Sequence, residues 1–152
     1  MTMKILGLVL AVGAGTVLWV GTRDSATDLA AIHVYKSPTC GCCVKWVDHL
    51  REQGFEVTVE DVVDMTAVKS EAGVPTDLSS CHTAKVGDYL LEGHVPGHAI
   101  KDLLAEAPDI KGLAVPGMPI GSPGMEGPNA RGYDVMAFDA AGNRGVFQHI
   151  TP

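Results

Sequence analysis

The sequence predicts one α/β domain that follows an apolar N-terminal segment, and three observations support this fold class. Short runs with the alternating pattern of β-strands exchange along the chain with runs of helical spacing. Residues 31–152 have the length of one ordinary domain. Three of the four cysteines stand within four residues, where the first predicted strand gives way to the first predicted helix.

The first thirty residues have the pattern of an export signal or a membrane anchor. Lys4 precedes the apolar run 5–20, in which Thr16 is the only polar side chain. A cationic start before an apolar run is typical of a signal peptide, and this length barely suffices for a tilted membrane span. No small-x-small cleavage site closes the run, so a cleaved signal and an uncleaved inner-membrane anchor both stay open. Either one predicts that the rest of the chain lies outside the cytoplasm.

Strands and helices are then expected to alternate. The predicted elements, in chain order, are a strand at 32–35, a helix at 42–53, a strand at 55–60, a helix at 65–72, a hairpin of strands 81–86 and 89–95, and a helix at 98–106. This is the order of a thioredoxin-like domain, predicted here over residues 31–110. It places the cysteine cluster at a helix N-terminus, where free backbone N–H groups and the helix dipole stabilise a thiolate.

Residues 111–152 are predicted to form a C-terminal extension that contributes to the site. Residues 112–127 hold five glycines, three prolines and two methionines. We interpret them as an ordered loop that wraps the domain, although this composition also suits a flexible linker. A β-hairpin is expected next, with strands at 133–139 and 145–150.

The charge pattern excludes several functions. The segment from residue 31 onward carries 9 basic and 16 acidic residues and has no basic cluster, which argues against nucleic acid as a partner. The chain also has no glycine-rich phosphate loop, no helical His-Glu-x-x-His and no Gly-x-Ser-x-Gly motif. A hydrolase or a nucleotide-dependent enzyme is therefore not supported.

The clustered cysteines Cys40, Cys42 and Cys43 allow three interpretations. Cys40 and Cys43 have the Cys-x-x-Cys spacing of a thiol–disulfide oxidoreductase. Alternatively, soft thiolates select Cu(I), zinc or an iron–sulfur cluster. A purely structural disulfide is the third, although the adjacent pair Cys42–Cys43 and the near-adjacent pair Cys40–Cys42 suit disulfide geometry poorly. Cys42 favours the metal site, because dithiol exchange does not need a third thiol.

Five further residues are candidates for the same site. Cys81 follows the second predicted helix, where we expect a loop beside the cluster; a resolving thiol or an inert buried thiol are the alternatives. Met118 and Met125 lie in the Gly/Pro loop, where a soft thioether can bind Cu(I). His94, at a strand end, can bind a metal or move protons, with His98 a weaker candidate. His82 is expected to face away from Cys81, because neighbouring strand residues point to opposite faces.

Several separate blocks resemble one known family. They are residues 35–43 with Cys-Gly-Cys-Cys, 80–83 with Ser-Cys-His-Thr, 92–96 with Glu-Gly-His-Val-Pro, and the Gly/Pro/Met blocks 112–119 and 121–126. Residues 32–150 are thereby identified as similar to the CopG-like family, which is associated with bacterial copper resistance and was long described as a domain of unknown function.

The resemblance implies a thioredoxin-like, copper-handling protein with a C-terminal extension in the Gram-negative periplasm. It implies copper ligation by Cys40, Cys42, Cys43 and Cys81, and less directly by the methionines and His94. Several sulfurs so close together can hold more than one copper ion. Interconversion of Cu(I) and Cu(II), a copper efflux or chaperone system as partner, and an enzymatic copper or thiol oxidoreductase role stay open.

Overall fold

The computed structural model describes residues 30–151, which contain a mixed seven-stranded sheet and three α-helices. The strands are β1 (Ile32–Lys36), β2 (Val57–Asp61), β3 (His82–Val86), β4 (Tyr89–Gly93), β5 (Gly112–Val115), β6 (Tyr133–Phe138) and β7 (Arg144–Ile150). The helices are α1 (Gly41–Glu52), α2 (Met65–Ala72) and α3 (Gly97–Glu106), with a short 3-10 turn at Thr76–Leu78. The predicted mixed α/β class is confirmed.

The sheet has the order β2-β1-β3-β4-β5-β6-β7. The pairs β1–β2 and β4–β5 are parallel, and the other neighbours are antiparallel. Lys36 at the end of β1 lies opposite His82 at the start of β3. The chain leaves β1 and enters β3 at the same end of the sheet, which places the segments around Cys40 and Cys81 side by side.

Helix α1 packs its apolar face on this sheet. Its buried residues are Cys43, Trp46, Val47 and Leu50, a set with the i, i+3, i+4, i+7 spacing of one helix face. They join a core with residues of β1, α3 and the central strands, among them Ile32, Val34, Leu91, Ile100, Leu103 and Leu113. Val44 is 45% exposed, because Cys43 and Trp46 occupy the inward positions on either side of it.

Strand β5 corrects the prediction of a loop over residues 112–127. Gly112, Leu113, Ala114 and Val115 are all buried and lie between β4 and β6. The glycine permits the pairing, since a Cβ at Gly112 would overlap the carbonyl oxygen of Leu90. These four residues were included in the predicted loop because the segment that follows them is rich in glycine and proline. The remainder of the predicted loop, residues 116–127, runs mostly without regular structure, as predicted.

The predicted signal or anchor lies outside the described residues and stays a prediction, as does the division at residues 30 and 110. Across residues 30–151 the helices are all too short or too polar to cross a membrane.

A histidine of α1 supports the start of α3. The N-cap of α3, Pro96, offers no side-chain acceptor, and the backbone N–H of Gly97 donates instead to Nε2 of His49 at 3.1 Å. A neutral imidazole can accept this hydrogen bond and a protonated one cannot. Partial burial lowers the pKa of His49 from its usual 6.5, against the opposite effect of Glu52 and Glu126.

We expect this contact to make stability depend on pH. Since the pKa of His49 is lower in the folded state, the unfolded chain takes up the proton first, and the contribution is lost as pH falls below about 6.5. Urea unfolding between pH 7.5 and 5 should therefore show a decline that is smaller in His49→Gln, whose amide oxygen accepts without titrating. An equal decline in both proteins would contradict the assignment.

Candidate metal centre

The cysteine cluster forms the first turn of α1. Cys40 is the N-cap residue and makes no side-chain capping hydrogen bond, so the free N–H groups of this turn lie beside the sulfur atoms. Cys40 and Cys42 are half-buried and Cys43 is fully buried. The Sγ atoms of Cys40 and Cys42 are 3.6 Å apart.

Cys81 reaches this cluster from the start of β3, as the sequence analysis expected. The four Sγ atoms of Cys40, Cys42, Cys43 and Cys81 all lie within 4.8 Å of one another. Separations of this size allow several sulfurs to share one metal ion, or one sulfur to bridge two ions. The chemistry of the donor set fits a soft cation such as Cu(I) or zinc.

A disulfide joins Cys40 to Cys43, with 5.4 Å between the Cα atoms, and leaves Cys42 and Cys81 as free thiols. This pair is the one that the oxidoreductase interpretation singled out. Its formation from two thiols releases two electrons and two protons. A four-thiolate site therefore exists only in the reduced protein, and the same sulfurs can hold either a bond to one another or a metal ion.

Two buried histidines adjoin the sulfur cluster. Nδ1 of His82 and Nε2 of His94 each lie 3.3 Å from Sγ of Cys81. The prediction that His82 faces away from Cys81 is wrong. Cys81 lies in the bend before β3, of which His82 is the first residue, so strand alternation does not apply to the pair.

The surroundings fix both imidazole rings. His82 packs against the indole of Trp46 with ring centroids 4.2 Å apart, and the Trp46 Nε1–H donates to the carbonyl oxygen of Val95 at 2.8 Å. Nδ1 of His94 donates to the carbonyl oxygen of Pro123 at 2.6 Å. A neutral His94 with its proton on Nδ1 presents the lone pair of Nε2 to Cys81.

Burial controls the protonation of these groups. It lowers the pKa of His82 well below 6.5, with His94 and Lys69 adding to the effect, and it also lowers the pKa of His94. Burial, aided by Cys42, raises the pKa of the Cys81 thiol to about 11. The imidazoles are therefore neutral and Cys81 is a thiol near pH 7. A bound cation would favour the thiolate, because its charge offsets the cost of desolvation.

The Gly/Pro loop lies against the start of α1. Gly124 packs so closely that a Cβ there would be 2.8 Å from the Cys42 carbonyl oxygen, and its φ of +83° favours glycine. An open groove of about 500 Å³ lies between the loop and α1. The groove is lined by Gly41, Cys42, Lys45, Ile120, Gly124, Met125, Glu126 and Gly127.

The structure shows which of the methionine and histidine candidates lie near the sulfur cluster. Met125 shares the groove with Cys42, whereas Met118 is half-buried at a turn and does not line the groove. His94 is fully buried beside Cys81, and His98 is exposed on α3.

Two residues near the sulfur cluster were not predicted to belong to the site: His82, and Glu92, a fully buried carboxylate close to the Cys81 segment. The available signals for Glu92 were its charge at the end of the apolar run of β4 and its place in the Glu-Gly-His-Val-Pro block. His82 belongs to the Ser-Cys-His-Thr block, but its orientation depends on where β3 begins, which only the structure shows.

The fold and the site define a small α/β protein with clustered thiols at a helix N-terminus and two neutral imidazoles beside them. A family model described as a protein of unknown function, DUF411, matches residues 78–125. No curated protein matches the chain.

Two solved structures are similar to nearly the whole described domain. "Copper resistance protein copG- Form 1" is 42% identical with a TM-score of 0.76, and the match covers 82% of this chain and 99% of that chain. For Form 2 the values are 43%, 0.76, 80% and 98%. The chain belongs to the CopG-like family of copper resistance proteins.

Proposed function

We propose that the reduced protein binds Cu(I) through Cys40, Cys42, Cys43 and Cys81 and so serves copper resistance or copper homeostasis. The observation that carries the proposal is the convergence of four sulfur atoms within 4.8 Å of one another. Thiolates prefer Cu(I) to hard cations, and the related solved structures are named copper resistance proteins.

Further donors allow the site to hold more than one copper ion. His82 and His94 contact Cys81, and Met125 lines the same groove as Cys42, so further soft or borderline donors are available near the sulfurs. We propose a thiolate-bridged cluster with His94 and Met125 as additional ligands and His82 as a further donor. Met118 stays in the proposal because of its soft thioether and the family resemblance, although it does not line the groove.

The location and the fold family are part of the same proposal. We assign a thioredoxin-like domain, which is supported by the parallel β1-α1-β2 unit beside the antiparallel β3–β4 hairpin. We place the protein in the periplasm, as a cleaved product or anchored to the inner membrane, because of the apolar run at 5–20. We propose a copper efflux or chaperone system as its partner.

A second candidate is a thiol–disulfide or copper oxidoreductase that uses Cys40 and Cys43. The disulfide at the helix N-terminus favours it. Oxidation of the two thiols releases two electrons and two protons, enough to convert two Cu(II) ions to two Cu(I) ions. Binding and redox turnover therefore use the same sulfurs, and the redox state of the Cys40–Cys43 pair decides whether the site can form.

Copper binding should follow the redox state of the Cys40–Cys43 pair. In an anaerobic Cu(I) competition with a chromophoric chelator, the fully reduced protein should bind at least about 100-fold more tightly than the disulfide form, which lacks two of the four thiolates. Cys40→Ser cannot form the bond, so its affinity should not respond to a change from oxidising to reducing pretreatment. Equal affinity of the two wild-type forms would reject the four-thiolate site.

A further inference from the structure

Glu92 is a fully buried carboxylate that accepts three hydrogen bonds close to the candidate site. Lys69 Nζ and the backbone N–H of Ser80 donate to its Oε1 at 2.5 Å, and the Thr83 hydroxyl donates to Oε2 at 2.7 Å. Lys69 Nζ also donates to the Thr83 hydroxyl at 3.0 Å. Both oxygens and the negative charge are thereby satisfied.

These contacts join three elements of the fold. Lys69 belongs to α2, Thr83 to β3 and Glu92 to the end of β4, while Ser80 lies in the irregular segment before Cys81. A buried ion pair is a weak source of stability, because desolvation offsets much of the attraction. What this arrangement does is to bind the backbone of Ser80, the residue before Cys81, to Glu92 on β4.

The neighbouring residue Gly93 brings the same segment close. A Cβ at Gly93 would lie 2.8 Å from the Ser80 Oγ and 2.6 Å from the Val115 carbonyl oxygen, and its φ is +71°. The next residue is His94, whose Nε2 is 3.3 Å from the Cys81 sulfur. The end of β4 therefore fixes both the segment that carries Cys81 and the imidazole that faces it.

We propose that Glu92 is a positioning residue that holds Cys81 in the sulfur cluster through the Ser80 backbone. The consequence for metal affinity rests on the proposed copper function, but the position of the Cys81 thiol does not. The Glu92 carboxylate fixes the one cysteine that lies outside the first turn of α1, and Lys69 holds that carboxylate in place.

The test is the alkylation rate of Cys81 by iodoacetamide in metal-free protein with the Cys40–Cys43 disulfide formed, with Cys42 as the internal reference. The double variant Lys69→Met, Glu92→Met removes the charges together and leaves Ser80 without its acceptor. Cys81 should then react about 10-fold faster, the effect of losing a hydrogen bond to a charged group, with Cys42 unchanged. In Glu92→Gln the amide oxygen still accepts from Ser80, and the change should be less than about 3-fold.

The matched control is Val86→Ala. This substitution leaves a cavity at the far end of β3, so it destabilises the same strand without touching Cys81. If Cys81 reacts no faster in the double variant than in this control, Glu92 has only a structural role and the proposal is wrong. Should the double variant fail to fold, Glu92→Asp is used in its place. The shorter side chain keeps a carboxylate but moves it away from the Ser80 N–H, so Cys81 should again be alkylated faster.

A measurement of copper affinity distinguishes a failure of the proposed role of Glu92 from a failure of the proposed copper function. If the wild type binds Cu(I), the double variant should bind about 10-fold to 100-fold more weakly, as expected when a residue that orients a ligand is lost. Faster alkylation of Cys81 in a protein whose wild type binds no copper would reject the proposed function and retain the role of Glu92.

Discussion

Replacing Cys42 by serine is expected to weaken Cu(I) binding by at least about 100-fold, while the Cys40–Cys43 disulfide still forms. Cys42 is a free, half-buried thiol 3.6 Å from the Cys40 sulfur, in the first turn of α1. A serine hydroxyl fits the space but is a hard donor with no useful affinity for Cu(I). The change therefore removes a soft ligand and leaves the dithiol pair.

The Cys42 variant also separates the two candidate functions. A dithiol oxidoreductase needs Cys40 and Cys43 alone, so its activity in Cys42→Ser should persist in a thiol-exchange assay. Val44→Ser is the matched control, since it places serine on the same helix at a position that is 45% exposed. If Cys42→Ser binds Cu(I) as tightly as this control, Cys42 is not a ligand and the metal assignment fails.

Replacing Gly112 by alanine is expected to lower the free energy of unfolding by more than about 3 kcal/mol. The added methyl group would overlap the Leu90 carbonyl oxygen, which is backbone and cannot turn aside. The clash can be relieved only by separating β4 from β5, in the middle of the sheet. Because β4 also carries Glu92 and leads to His94, the candidate site should be disturbed as well.

Gly145→Ala is the control for this prediction. It lies on β7, at the edge of the sheet, and a Cβ there would have no atom within 4 Å. Urea unfolding followed by circular dichroism should show a change within about 0.5 kcal/mol for Gly145→Ala and the large loss for Gly112→Ala. Similar stabilities of the two variants would show that the contact between Gly112 and Leu90 is not as close as the structure indicates.

Local pattern was sufficient for much of the fold. Helix α2 was predicted with the bounds Met65–Ala72, because Gly73 ends it in the left-handed conformation that glycine favours. The position of the cysteine cluster also followed from pattern alone, since a strand-to-helix change is visible at Cys40. Both features depend on residues that are neighbours in the chain.

The errors concern contacts between distant residues. Strand β5 is too short and too rich in small residues to show a period, and its pairing with β4 and β6 exists only in the folded sheet. The inward position of His82 depends on where β3 begins and on Trp46 from α1. The role of Glu92 depends on Lys69 and Ser80, which lie 23 and 12 residues earlier in the chain.

The central proposal is that four cysteine sulfurs hold copper in the reduced protein. The direct measurement is copper-edge X-ray absorption, with elemental analysis, of the domain loaded with Cu(I) before and after Cys40–Cys43 oxidation. We predict a sulfur-dominated shell in the reduced protein and loss of most of the copper on oxidation. A shell of nitrogen and oxygen only, or full retention of copper with the disulfide formed, would contradict the account.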